Sequence, residues 1–113
     1  MIVVNIEGER VEIKPPSPAT LKKYGLSQDE WEEIVRRQAY RCPICGNPLV
    51  KRTNIDHEHV KGWKDFPPNL RKQFVRTVTC WFCNRYYLGR GITLQKARNM
   101  VKYLEEFEKR KPK

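Results

Sequence analysis

Four cysteines stand as two pairs, Cys42-Pro-Ile-Cys45 and Cys80-Trp-Phe-Cys83. Two thiolates at this spacing hold one ion from adjacent corners, and two such knuckles complete the closed tetrahedral sulfur cage of a structural zinc site. Gly46 lets the chain turn sharply after the first pair. The rival readings are weaker: disulfides suit secreted chains, and a redox pair needs no second copy at this distance. A chain of 113 residues has a small core. Zinc binding, worth on the order of 10 kcal/mol in such sites, would make up what that core lacks.

Both histidines of the chain fall in one stretch, "IDHEHVKG" at 55–62. With four thiolates closing a zinc site, His57 and His59 are not needed as its ligands. Asp56 and His57 end an expected strand that returns from the first knuckle, pointing to opposite sides, and Asn84 directly follows the last cysteine. Carboxylate and amide oxygens suit magnesium or manganese, and a neutral imidazole beside them can take a proton from an attacking water near neutral pH. Those residue types suit metal-assisted hydrolysis of a phosphodiester. Plainer readings stay open: strand-end histidines are commonly ordinary residues, and an asparagine after a cysteine commonly caps a helix. The two knuckles tie all three residues to one metal cage.

Composition points the same way. Lysine and arginine number 23 against 13 acidic residues, a net charge of +10 that attracts a polyanion, with solubility as the competing explanation. Nucleic acid is the leading partner. A membrane surface fits less well, because the basic residues are scattered instead of lining one helix face. No apolar run approaches the roughly 20 residues of a membrane span. The opening "MIVVNIEGER" lacks the basic head and apolar stretch of a signal peptide, so a soluble, cytoplasmic protein is expected.

The elements that must position these groups read as follows. Ile2, Val4 and Ile6, then Val11 and Ile13, alternate around Glu7-Gly8 and predict a β-hairpin, ended by the Pro-rich linker 15–18. We therefore divide the chain into 1–18, hairpin and linker, and 19–113, the chemical domain. Ser27 and Glu30 have capping-box spacing, and Trp31, Ile34, Val35 and Gln38 recur at helical intervals, predicting a helix over 28–39. Short strands are expected at 50–57 and 74–79, joined by a loop with Gly62, Pro67 and Pro68. A short helix after Cys83, started by Asn84, breaks at Gly89 and Gly91. A last helix over 93–110 puts Leu94, Ala97, Val101, Leu104 and Phe107 on one stripe, before a fraying KRKPK tail.

Three segments in this order, "YGLSQDEWEEIVRRQAYRCPICG", "IDHEHVKG" and "CWFCNRYYLG", resemble the recombination endonuclease VII family of the HNH, ββα-metal or His-Me finger nucleases. The resemblance runs from about Lys22 to Glu105. It implies an α+β fold, a zinc-stabilised ββα-metal domain that cuts DNA with a divalent ion. By position, Asp56 and Asn84 match the family's Mg2+ or Mn2+ ligands and His57 its general base. His59 matches the second histidine of the motif, for phosphate positioning or local structure. Two departures stand out: a longer segment, "WKDFPPNLRKQFVRTVTC", and Tyr87 where the family can carry an acidic residue.

The longer segment mixes Arg71 and Lys72 with Trp63, Phe66 and Phe74, a mixture that can neutralise phosphates and pack against sugars or splayed bases. Arg76, Arg85 and Arg90 lie nearer the expected metal and are the favoured backbone contacts. A DNA endonuclease acting on branched, nicked or duplex DNA is the first reading, either a Holliday-junction resolvase or a nicking enzyme. A non-catalytic zinc-knuckle DNA-binding module is the second. A redox or zinc-storage protein would leave the DHEH segment and the charge idle. A junction cut at two sites needs two active centres, so a homodimer through the helices at 28–39 or 93–110 is expected with that substrate.

Overall fold

The computed structural model describes residues 2–50 and 52–112. Lys51, in the first expected strand, and Lys113 of the tail lie outside them, as does the side chain of Arg90, one of the expected backbone contacts. The architecture is α+β: two separate two-stranded antiparallel sheets with five α-helices and three short 3-10 turns among the described residues.

The hairpin pairs β1 (Ile2–Ile6) with β2 (Glu9–Ile13), Val4 opposite Val11. Glu7 and Gly8 both take positive φ, 51° and 85°, the two-residue turn whose twist matches that of the flanking strands. Alternation then sends Val11 and Ile13 inward, where they join Trp31, Val35, Leu49, Ile55 and Val78 in one hydrophobic core.

The Pro-rich stretch does more than end the hairpin. Ser17 accepts a hydrogen bond from the Thr20 N–H at 3.2 Å and Pro18 opens α1 (Pro18–Lys23), whose Leu21 reaches the core. The sequence alone predicts only a linker here. Proline suits the first helical turn because its missing N–H would have no partner there. The expected capping box is present: Ser27 Oγ accepts from Glu30 N at 3.1 Å, and Ser27 N donates to Glu30 Oε1 at 3.0 Å. It starts α2 (Gln28–Arg37), which buries Trp31 and Val35. Left-handed Ala39 and Tyr40 end that helix two residues earlier than expected.

The central sheet pairs β3 (Thr53–His57) with β4 (Val75–Cys80), Thr53 opposite Cys80. The helix expected after Cys83 instead begins inside the second knuckle. Cys80 is its cap, its Sγ accepting from Cys83 N at 3.4 Å, and Asn84 is the fourth residue of α4 (Trp81–Tyr86), not the first. The loop between the strands is partly helical, with a 3-10 turn at Trp63–Asp65, α3 (Pro68–Arg71) and a second turn at Lys72–Phe74. Gln38 ties α2 to β4 as a strand would: its side chain accepts from Val78 N at 2.9 Å and donates to Val78 O at 2.7 Å.

The last helix, α5 (Leu94–Arg110), is capped by Thr93 and buries no residue. Its stripe forms but stays open, leaving Leu94 68% and Leu104 58% exposed. The projecting helix helps raise the radius of gyration to 16.5 Å. A compact chain near this length has about 13 Å.

Candidate zinc and phosphodiester centre

The first knuckle is a tight reversal: Cys42 N donates to Asn47 O and Gly46 N to Cys42 O, both at 2.9 Å, with Gly46 at φ +79°. The second is the capped start of α4. Together they bring all four Sγ atoms within 4.8 Å of one another, with no disulfide. Cys45 and Cys80 Sγ lie 3.8 Å apart. That is close to the edge, about 3.8 Å, of a tetrahedron with zinc–sulfur bonds of about 2.3 Å.

The electrostatics call for a cation. Burial works against ionising Cys42, yet backbone N–H groups, those of Cys45 and Cys80 first, bring its thiol down to about 7. Burial pushes Cys80 and Cys83 up, and neighbouring sulfurs add to the rise. Several thiolates this close repel one another unless a cation sits among them. Among the described residues this is the one cluster of three or more Cys, His, Asp or Glu able to hold a metal, and its donors fit zinc.

The other end of β3 carries the carboxylate and the imidazole. Asn54 and Asp56 share one face of the sheet with their partners Thr79 and Thr77, while Ile55 and Val78 share the core face. Between Asp56 and His57 the register shifts, so that His57 lies opposite Val75 and Arg76 has no partner in the ladder. Bulges of this kind re-aim side chains. Here the Arg76 guanidinium grips Asp56, which is only 5% exposed, with Nε 2.6 Å from Oδ2 and Nη2 3.1 Å from Oδ1.

His57 stacks on Trp63, ring centroids 4.2 Å apart and planes 24° apart, and on His59 at 4.7 Å and 28°, with Tyr24 edge-on at 5.5 Å. Trp63 is itself buried and donates its indole N–H to the Arg71 carbonyl at 3.4 Å. Burial, then the neighbouring His59, holds His57 below the usual imidazole range, against the opposing pull of Asp56. The imidazole is thereby kept neutral at neutral pH, beside a cavity of about 340 Å³ lined by His57, His59, Gly62 and Trp63.

Asn84 is half-buried on α4, which packs against both β3 and β4. Among the described residues its side-chain amide has no hydrogen-bond partner, neither Asp56 nor His57 included. Of the expected DNA contacts, Arg76 is committed to Asp56, and Lys72 Nζ pairs with Glu30 at 3.0 Å. Arg71 lies 5.8 Å from the Trp63 ring, and Arg85 lies exposed, 5.6 Å from the Trp81 ring. Tyr24 and Gln38 were not foreseen as parts of this centre. Gln38 stood in the helical stripe, but nothing local marks Tyr24.

Comparison with known proteins decides the family. The sequence profile for recombination endonuclease VII matches residues 18–106. The chain belongs to that family. The matched span takes in both knuckles, the DHEH segment and α4, and leaves out the β1–β2 hairpin. The Gene 59 protein of Mycobacterium phage L5 is 37% identical over 71 residues, 61% of this chain and 37% of that protein. The Gene 59 protein of Mycobacterium phage D29 is 35% identical over 71 residues, 61% of this chain and 36% of its own length. The chain thus spans little more than a third of these two relatives. The large ribosomal subunit protein bL28 of Elusimicrobium minutum is 33% identical over 51 residues, 42% of this chain and 80% of that one. No solved structure matches. As in the sequence, the described residues include no helix long and apolar enough to cross a membrane.

Proposed function

We propose that this endonuclease VII family member is an HNH-type DNA endonuclease dependent on Mg2+ or Mn2+, acting on branched or nicked DNA in the cytoplasm of a phage-infected host. The observation that carries the reading is the bulged end of β3. A buried carboxylate and a stacked, neutral imidazole sit side by side there, on a strand that the four-sulfur cage ties to the helix bearing Asn84.

Asp56 and Asn84 would hold the divalent ion. The donor set fits: Arg76 occupies one position on each Asp56 oxygen, a carboxylate offers about four acceptor positions, and the Asn84 amide oxygen is uncommitted. The bound ion would offset charge on the phosphoryl oxygens and on the departing 3′ oxygen. His57 takes a proton from the attacking water as the new phosphorus–oxygen bond forms. The bond to the 3′ oxygen breaks and that oxygen takes up a proton from solvent, leaving a 5′ phosphate and a 3′ hydroxyl. His59, stacked on His57, positions the imidazole or a phosphate.

Arg85, Arg90, Arg71 and Lys72 would meet the DNA backbone, joined by Arg76 where it is not held by Asp56. Residues 1–18 are an addition to the nuclease domain, 19–113. The exposed α5 stripe is the surface through which a homodimer would pair.

A second reading, the non-catalytic zinc-knuckle DNA-binding module, draws on two observations. Arg76 neutralises Asp56 without any metal, which removes the repulsion a bare carboxylate would set against phosphate, and the bL28 likeness concerns a protein not named as a nuclease. Cleavage separates the readings. Wild-type protein with Mg2+ or Mn2+ is expected to cut at least one of a four-way junction, a nicked duplex and a linear duplex. His57→Ala should bind the same DNA and cut it about 10²-fold or more slowly. Binding without cutting of any of the three, with either ion, would leave the module.

A further inference from the structure

The outer face of α4 and the loop of the first knuckle enclose a groove that the phosphodiester centre does not use. It has a volume of about 570 Å³, within the roughly 300–1,000 Å³ of typical ligand pockets, and is walled by Pro48, Leu49 and Val50 on one side and Trp81 and Phe82 on the other. Phe82 is 52% exposed, its ring touching those of Tyr86 at 4.8 Å and Tyr87 at 5.9 Å. Arg52 and Arg85 bring their guanidinium carbons to 5.9 and 5.6 Å from the Trp81 ring. Among the described residues neither arginine has a carboxylate partner.

Resting on the DNA reading above, we propose that this groove binds unpaired nucleotides of the substrate, stacking a base on Phe82 while Arg52 and Arg85, held at the Trp81 ring, meet the phosphates. The chemistry selects this occupant. The exposed Phe82 ring next to cations without a carboxylate partner matches a base and its phosphate, whereas an apolar protein partner would bury those cations without pairing them. Intact duplex offers no ring face, because its bases already stack on one another. A branch, gap or flap does. The groove would therefore make the enzyme prefer discontinuous DNA.

Binding without added divalent ion tests this apart from catalysis. The DNA is a duplex interrupted by a short single-stranded gap carrying 2-aminopurine, compared with the uninterrupted duplex. The proteins are wild type, Phe82→Leu, which keeps apolar bulk but removes the ring, and Phe82→Tyr, which keeps the ring. Zinc content and melting temperature should be equal in all three, since Phe82 lies outside the core. Wild type and Phe82→Tyr should favour the gapped DNA by about fivefold or more and quench 2-aminopurine, and Phe82→Leu should lose both while holding duplex equally well. Preference and quenching that survive in Phe82→Leu would overturn the proposal. So would a change of oligomeric state in Phe82→Leu with discrimination intact, which would assign the groove to a second copy of the chain. Failure of wild type to bind either DNA would sink the DNA reading itself.

Discussion

Removing the metal should unfold the middle of the molecule. The cage is part of the core: Cys42 is 1% exposed and Cys83 0%, both packed in the cluster that holds Trp31 and Val35. Structural zinc contributes apparent free energies of about 10–16 kcal/mol near neutral pH, against about 5–15 kcal/mol for the whole stability of a typical domain. Over most of both ranges the first equals or exceeds the second, so the central sheet should not stand without the metal. Acid should have the same effect by competition, because the Cys80 and Cys83 thiols, both pushed up by burial, must lose their protons to bind the ion. The perturbations are a zinc chelator and Cys45→Ser, the latter at the exposed corner of the cage so that core packing is untouched. Circular dichroism melts, run beside a colorimetric zinc-release measurement, should show one zinc per chain and loss of the cooperative transition when it leaves. A metal-free protein that melts cooperatively near the temperature of the loaded one would refute the reasoning, as would disulfides among these cysteines.

Three further outcomes follow from the structure. His57 is held below the ordinary imidazole value of about 6.5, and its neutral form is the one that takes a proton. The cleavage rate should therefore be flat from about pH 7 upward and fall only on the acid side of 6.5, whereas an inflection above that value would contradict the assignment. A depressed pKa also means that His57 favours the fold above the unfolded-chain value and that this contribution is lost as pH falls through the folded one. Gln38→Ala strips both backbone groups of Val78 of their partner and should cost about 2–4 kcal/mol in a denaturant titration, while Gln38→Glu, which keeps the acceptor, should cost less.

The sequence showed most plainly what is local. Alternation around Glu7-Gly8 located the hairpin, Ser27 and Glu30 marked the start of α2, and C-x-x-C spacing identified the cage before any fold was known. What it hid is short or long-range. Six residues of α1 are too few for a helical period, and prolines on either side of Ser17 disguised its cap. The Arg76 grip on Asp56 depends on a register shift that no run of residues announces, and the His57 stack depends on how the loop after Gly62 folds back. The α5 stripe was legible as a helix face, but nothing in one chain specifies what covers it.

The sulfur cage should make Asp56, His57 and Asn84 converge on one divalent ion. Paramagnetic broadening by Mn2+ tests it most directly, read by NMR on the His57 imidazole and the Asn84 side-chain amide of the zinc-loaded protein. Both signals should broaden together at substoichiometric Mn2+, and both should stay sharp in Asp56→Asn. Broadening of only one of them, or of both in Asp56→Asn as readily as in wild type, would contradict it.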